Sequence, residues 1–242
     1  MSSKLFITPK PTPNASLRLF CFPYAGGSPS IFTPWIEKVG EHVELVFVQL
    51  PGRGARLIEP AIDNMPQIID TLMQHQDFIT SKPFAFFGHS LGSRISYELA
   101  SQLHQNALPT PRKIFASASR APHCSSSSTP MHDLPHDEFI TKLRDLNGTP
   151  KEILDNAELM ELLLPLLRAD FKIADTYVAN QHPLSSPIHV FHGIEDDILD
   201  EHVDAWQDLT EHPCTMTKFE GGHFFIHQYA DDMIAIINQQ LT

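Results

Sequence analysis

Basic residues are scarce in this chain. Lys and Arg number 17 against 29 Asp and Glu over 242 residues, a formal net charge of −12. Such a surface repels phosphate backbones, and no run of Lys and Arg offsets it, which argues against a nucleic-acid partner. Cysteine is scarcer still. Cys21, Cys124 and Cys214 lie far apart and are odd in number. That pattern fits neither a disulfide framework nor a Cys-x-x-Cys metal site, and a reducing cytoplasm is the expected setting. No apolar run approaches the length of a membrane span. Residues 1–10 hold no apolar h-region and no small-residue cleavage site, so no secretory signal is expected. Internal repeats and coiled-coil heptads are absent.

What is present is enough apolar material for a core: 42% hydrophobic against 19% charged residues. The length suits one sizeable domain, 1–242, with room for an inserted cap. Short apolar runs alternate with amphipathic ones. Strands are expected at 17–23, 43–49, 83–88, 113–118, 187–192 and 215–219. Helices are expected at 66–80, 91–105 and 224–240. The run at 83–88 is continuously apolar, as in a strand covered on both faces. Strands separated by helices imply an α/β fold with a mainly parallel sheet flanked by helices. The alternation breaks at 121–182, which opens on Cys124 and the serines 125–128, read as a flexible link. Helical patterns follow, including Glu158–Arg168, which Pro165 is expected to kink or divide. This insertion is expected to form a helical lid over the C-terminal edge of the sheet.

The chemistry sits at Gly88-His89-Ser90-Leu91-Gly92. This matches Gly-x-Ser-x-Gly, the nucleophile elbow of the α/β-hydrolase fold. The strand-to-helix turn is so tight that side chains flanking the serine would clash, and glycines at both ends relieve that. The pattern is short, but it stands between an apolar strand and a helical pattern, as the mechanism requires. A serine hydroxyl needs a base, and the base needs an orienting acid, in the chain order Ser, acid, His. His223, in Gly221-Gly222-His223, follows the strand at 215–219, and the paired glycines let the loop return over the elbow. His227 is its rival, one helical turn into the terminal segment. His42, His75, His104 and His212 read as solvated. The acid should follow the strand at 187–192, where Glu195, Asp196 and Asp197 all stand. The backbone amides of Leu91 and of Ala25, in Tyr24-Ala25-Gly26-Gly27, are candidates for an oxyanion hole.

Over nearly its whole length the chain resembles the type II thioesterases of polyketide and nonribosomal peptide assembly lines. The resemblance is carried by Cys21–Gly27, by Val48-Gln-Leu-Pro-Gly-Arg-Gly54 with Arg56 and Glu59-Pro60, by the elbow, Tyr97-Glu98 and Ala121-Pro122. In the insertion it is carried by His132-Asp-Leu-Pro135, Leu146–Pro150 and Leu164-Pro-Leu-Leu-Arg-Ala-Asp170. It ends with Trp206 and Phe219-Glu-Gly-Gly-His-Phe-Phe225. In that family the catalytic aspartate lies three residues after the loop glycine, with a tryptophan ten residues further on. Gly193, Asp196 and Trp206 keep that spacing, which selects Asp196. The chain departs from the family in Leu91 where Met is usual, in Ser93-Arg94 where small residues are usual, and in His192 where Gly is common.

The resemblance implies a serine-dependent enzyme that hydrolyses acyl thioesters from the phosphopantetheine arm of an acyl- or peptidyl-carrier protein, clearing stalled groups. No metal or organic cofactor is implied, and a monomer is expected. Arg53, Arg56, Arg94 and Arg120 are candidates for carrier docking by sequence position. The alternatives are a chain-releasing acyl thioesterase, a small-molecule carboxylesterase of the same fold, and a noncatalytic binding module that kept the fold.

Overall fold

The computed structural model describes residues 4–125, 129–146, 148–149 and 151–242. Ser126–Ser128 of the expected link lie outside the described residues, as do Asn147 and Pro150. Seven strands form one sheet: β1 (Phe6–Ile7), β2 (Leu17–Phe22), β3 (Val43–Val48), β4 (Phe84–His89), β5 (Ile114–Ser117), β6 (Ile188–Gly193) and β7 (Thr215–Phe219). Their order across the sheet is β1-β3-β2-β4-β5-β6-β7. Only β1 runs antiparallel, at the edge against β3.

The period-two rule explains how this sheet is covered. Phe20, Phe22, Phe84 and Phe86 face one layer, with Ile68 and Leu72 of α1 (Met65–Met73) and Ile95 and Leu99 of α3 (Leu91–Gln105). Leu19, Cys21, Ala85 and Phe87 face the other layer. There Phe32 and Trp35 of a 3-10 turn meet Met233, Ile234 and Ile237 of α8 (Ala230–Gln240). The expected helix at 66–80 is two helices, α1 and α2 (Gln76–Thr80), separated at Gln74 and His75.

Between β5 and β6 the chain makes α4 (His136–Leu146), α5 (Lys151–Leu154) and α6 (Ala157–Thr176). These helices bury a small core of their own around Phe139, Leu143, Leu154, Met160 and Leu167. Pro165 does not divide α6, which runs through it for 20 residues. A proline removes one i to i−4 bond, and here burial of Leu166, Leu167, Asp170 and Ile173 holds the helix together beyond it. The short α7 (Asp200–Asp204) follows β6. Among the described residues, no helix is long and apolar enough to cross a membrane.

Candidate active site

Strand β4 ends at His89, and α3 begins at Leu91, leaving Ser90 alone to make the turn. Its φ is 54° and ψ is −115°, a region that costs a non-glycine residue on the order of 1–3 kcal/mol. The flanking glycines are there for space. A Cβ on Gly88 would stand 2.2 Å from the Gly92 oxygen, and one on Gly92 would stand 2.1 Å from the Phe22 oxygen. The Ser90 amide is held by the Ser117 carbonyl at 2.8 Å.

The turn aims the hydroxyl at the loop after β7. Ser90 Oγ lies 2.9 Å from His223 Nε2. His223 Nδ1 lies 2.8 Å from Asp196 Oδ2. The Asp196 side chain is only 4% exposed and the His223 side chain 25%. The carboxylate can only accept, so Nδ1 carries the proton and Nε2 is left free to take one from Ser90. The structure thus brings together the three residues expected from the sequence. Of the other acids, Glu195 is exposed, and exposed Asp197 lines a cavity of about 900 Å³ with Met131, Leu134, Leu146 and Ile198. That cavity lies between α4 and the acid loop. The rival base, His227, pairs with the Tyr24 hydroxyl at 3.1 Å instead.

His89 is a residue that the sequence reading passed over. It is fully buried, and its Nε2 donates to the His223 carbonyl oxygen at 2.9 Å. Its Nδ1 accepts from the Ser117 hydroxyl at 2.9 Å. Burial, and secondarily the His223 ring nearby, push the His89 pKa well below the usual histidine value, so it stays neutral beside the base. The signal was in plain view as the variable position of the elbow.

On the other side of Ser90 lies the loop after β2. Gly27 donates to the Tyr24 carbonyl at 2.8 Å, closing the turn around Ala25. Gly26 donates to Asp170 Oδ2 at 2.7 Å. Leu91 is the first residue of α3, where helix amides lack an intrahelical partner.

The arginines expected to dock a carrier are occupied inside the protein. Arg53 is buried against Asp170, with Nη2 to Oδ1 at 2.8 Å and Nη1 to Oδ2 at 3.0 Å. Arg94 is buried and donates to the Ala174 carbonyl, and desolvation with Arg120 beside it lowers its pKa to about 9. Arg120 holds the Cys124 carbonyl at 2.9 Å, and Arg56 pairs with Glu59 at 2.6 Å. His192 is also buried, so it neither faces solvent nor lines the cavity beside Asp197. Trp206 is a core residue whose Nε1 donates to the Ser119 carbonyl at 2.8 Å. Of the histidines read as solvated, His104 and His212 are exposed, whereas His42 and His75 are half-buried. Among the described residues, no group of three or more His, Cys, Asp or Glu is placed to hold a metal ion.

With this geometry in view, comparison with known proteins is decisive about kinship. The profile of the thioesterase domain family matches residues 17–241. The chain belongs to the thioesterase family. Gramicidin S biosynthesis protein GrsT of Aneurinibacillus migulanus is 37% identical over 241 residues, covering 99% of this chain and 94% of that one. Linear gramicidin dehydrogenase LgrE of Brevibacillus parabrevis is 38% identical over 244 residues, covering 99% and 93%. This thioesterase carries no Gly-x-Gly-x-x-Gly, since Gly52-Arg-Gly54 is followed by Leu57, so it lacks that dinucleotide fingerprint. Among solved structures, the type II thioesterase BorB from the borrelidin biosynthetic cluster superposes with a TM-score of 0.90 at 29% identity. The match covers 100% of this chain and 99% of that one. The fold is therefore the α/β-hydrolase fold of the thioesterases.

Proposed function

We propose that this thioesterase is an editing enzyme that hydrolyses acyl thioesters from the phosphopantetheine arm of carrier proteins through an acyl-Ser90 intermediate. The observation that carries this reading is the unbroken line Ser90 Oγ, His223 and Asp196, with spacings of 2.9 and 2.8 Å. The relationship to GrsT, a gramicidin S biosynthesis protein, and to BorB, a type II thioesterase from the borrelidin biosynthetic cluster, supports the class of substrate.

The steps follow from the geometry. His223 Nε2 takes the Ser90 proton as Oγ attacks the thioester carbonyl carbon. The amides of Ala25 and Leu91 stabilise the oxyanion that forms. As the C–S bond breaks, the imidazolium returns its proton to the departing thiolate. Water then attacks the acyl-serine, giving its proton to His223, and Ser90 leaves as the alcohol with the acid released. Asp196 holds the imidazole tautomer and stabilises its charged form. The chain acts as a monomer in the cytoplasm and needs no cofactor.

Helices α4–α6 act as a lid. A Cβ on Gly148 would stand 2.2 Å from Phe224 Cζ, so this segment packs closely on the residue after the base. With the four arginines engaged internally and a net charge of −12, carrier docking rests on local contacts rather than long-range steering.

The test is release of the acyl group from an acyl-loaded carrier, followed by carrier mass, with an oxygen ester run in parallel. Carrier unloading much faster than ester cleavage, and lost in Ser90→Ala, supports the proposal. Cleavage of the oxygen ester alone would assign the site to a carboxylesterase instead.

A further inference from the structure

Two sequence motifs separated by more than a hundred residues meet at one carboxylate. Asp170, in α6, has no exposed surface. Its Oδ2 accepts from the Gly26 amide at 2.7 Å and from Arg53 Nη1 at 3.0 Å. Its Oδ1 accepts from Arg53 Nη2 at 2.8 Å. Arg53 Nη1 also reaches the Gly27 carbonyl at 3.3 Å. The same turn of α6 presses on this loop, since a Cβ on Gly26, whose φ is +74°, would stand 2.5 Å from Leu167 Cδ2.

From this we infer that Asp170, held by Arg53, is a positioning residue that sets the Ala25 amide for oxyanion binding and ties that setting to the insertion helix α6. The inference rests on the proposed oxyanion role of Ala25. An amide N–H is oriented by the peptides on either side of it. Here the following N–H, that of Gly26, is fixed by a charged acceptor, and the carbonyl two residues beyond Ala25, that of Gly27, by a charged donor. The peptide that follows Ala25 N–H is thereby held, and the carbonyl of its own peptide, that of Tyr24, accepts from Gly27 N–H at 2.8 Å, all without using the Ala25 N–H itself. Such preorganisation is what makes an oxyanion donor effective. Placing the acceptor on α6 means that the oxyanion donor is set only while α6 is seated on the loop.

Asp170→Asn tests the inference. An amide oxygen in the Oδ2 place turns its NH2 against Arg53 Nη2, and in the Oδ1 place it leaves Gly26 without an acceptor, so in either placing the charged acceptor of the Gly26 amide is lost and at least one of the three bonds is broken. The readout is the ¹H–¹⁵N shift of Ala25 in the full chain before and after a trifluoromethyl ketone forms its tetrahedral adduct with Ser90. It is paired with carrier-unloading kinetics per mole of folded protein. The expected result has three parts. In the parent, the Ala25 proton moves downfield on adduct formation. In Asp170→Asn that shift is largely lost, and kcat falls about 100-fold while KM changes less than about twofold. In Arg53→Lys, which keeps a cation beside the carboxylate, both effects are intermediate. A parent shift that persists undiminished in Asp170→Asn, or an unchanged kcat, overturns the inference and leaves the oxyanion role of Ala25 standing. A parent in which Ala25 does not move overturns that role, and the inference with it. Should Asp170→Asn fail to fold, Arg53→Lys decides alone: a diminished shift supports the inference and a full shift overturns it.

Discussion

The buried ring of His89 donates from Nε2 to the backbone carbonyl of His223 at 2.9 Å. The residue that precedes Ser90 therefore holds the main chain of His223. Because burial keeps His89 neutral, this support adds no positive charge beside the His223 ring. Replacing His89 by Ala removes the donor and opens space behind His223. The expected outcome is a fall in kcat on the order of 10²-fold, since small misplacements of a reacting group are that costly. Steady-state kinetics on an acyl-pantetheine thioester check it, and an unchanged kcat would assign His89 to packing alone.

The choice among the acids of the loop after β6 has an equally direct test. Asp196→Asn leaves the shape intact but presents His223 with the wrong tautomer partner, and kcat is expected to drop on the order of 10⁴-fold. Asp197→Asn removes an exposed charge outside the triad, and its kcat should stay within about twofold of the parent. Comparable losses in the two variants would contradict the hydrogen bond to His223 as the functional one.

Space at the elbow predicts a folding defect. In Gly92→Ala the new Cβ would meet the Phe22 carbonyl oxygen at 2.1 Å, and backbone must move to admit it. A loss of about 3 kcal/mol or more is expected by denaturant titration, in the range caused by overpacking. A loss under about 1 kcal/mol would mean that the turn is softer than this packing implies.

A histidine outside the site contributes to the loss of stability in acid. His189 is buried, with Nδ1 at 2.7 Å from Thr215 Oγ1, and burial, with Lys113 adding to it, lowers its pKa from 6.5 to about 4. The unfolded chain therefore binds a proton at this residue that the folded chain refuses. Stability from this group is complete above pH 6.5 and is lost as pH falls toward about 4, below which both states are protonated. At 1.36 kcal/mol per unit, the loss is on the order of 3 kcal/mol. Unfolding titrations across that window should show a shallower pH slope for His189→Gln than for the parent. Parallel slopes would refute the assignment.

The legible parts of this molecule were those fixed by local pattern. Residues 91–105 and 215–219 are an uninterrupted helix and strand as expected; Ser90 and His223 stand out in an elbow and a Gly-Gly-His turn, whereas Asp196 stands apart from Glu195 and Asp197 only through the family resemblance. The rest depends on distant partners. Phe6–Ile7 is a strand only because Val48 and Phe47 pair with it, and two residues carry no period. The end of the chain was read as a helix from 224, but it begins with a 3-10 turn at Phe225–His227 and becomes α-helical only at Ala230. Pro165 argued for a break that burial of the next turn of α6 overrides. Arg53 and Arg94 looked like surface charge because composition cannot say where a cation is neutralised. Arg53 and Asp170 lie 117 residues apart in sequence; the sequence offers Arg53 as a carrier-docking charge and Asp170 only as part of a motif.

Turnover that passes through an acyl group on Ser90 leaves a covalent adduct that can be trapped. The most direct measurement is acid quenching of the enzyme milliseconds after mixing with acyl-pantetheine thioester, followed by intact and peptide mass. The account predicts a protein heavier by one acyl group, with the added mass on the peptide containing Ser90, and no adduct in Ser90→Ala. Steady turnover with no adduct at any time, retained in Ser90→Ala, would contradict it.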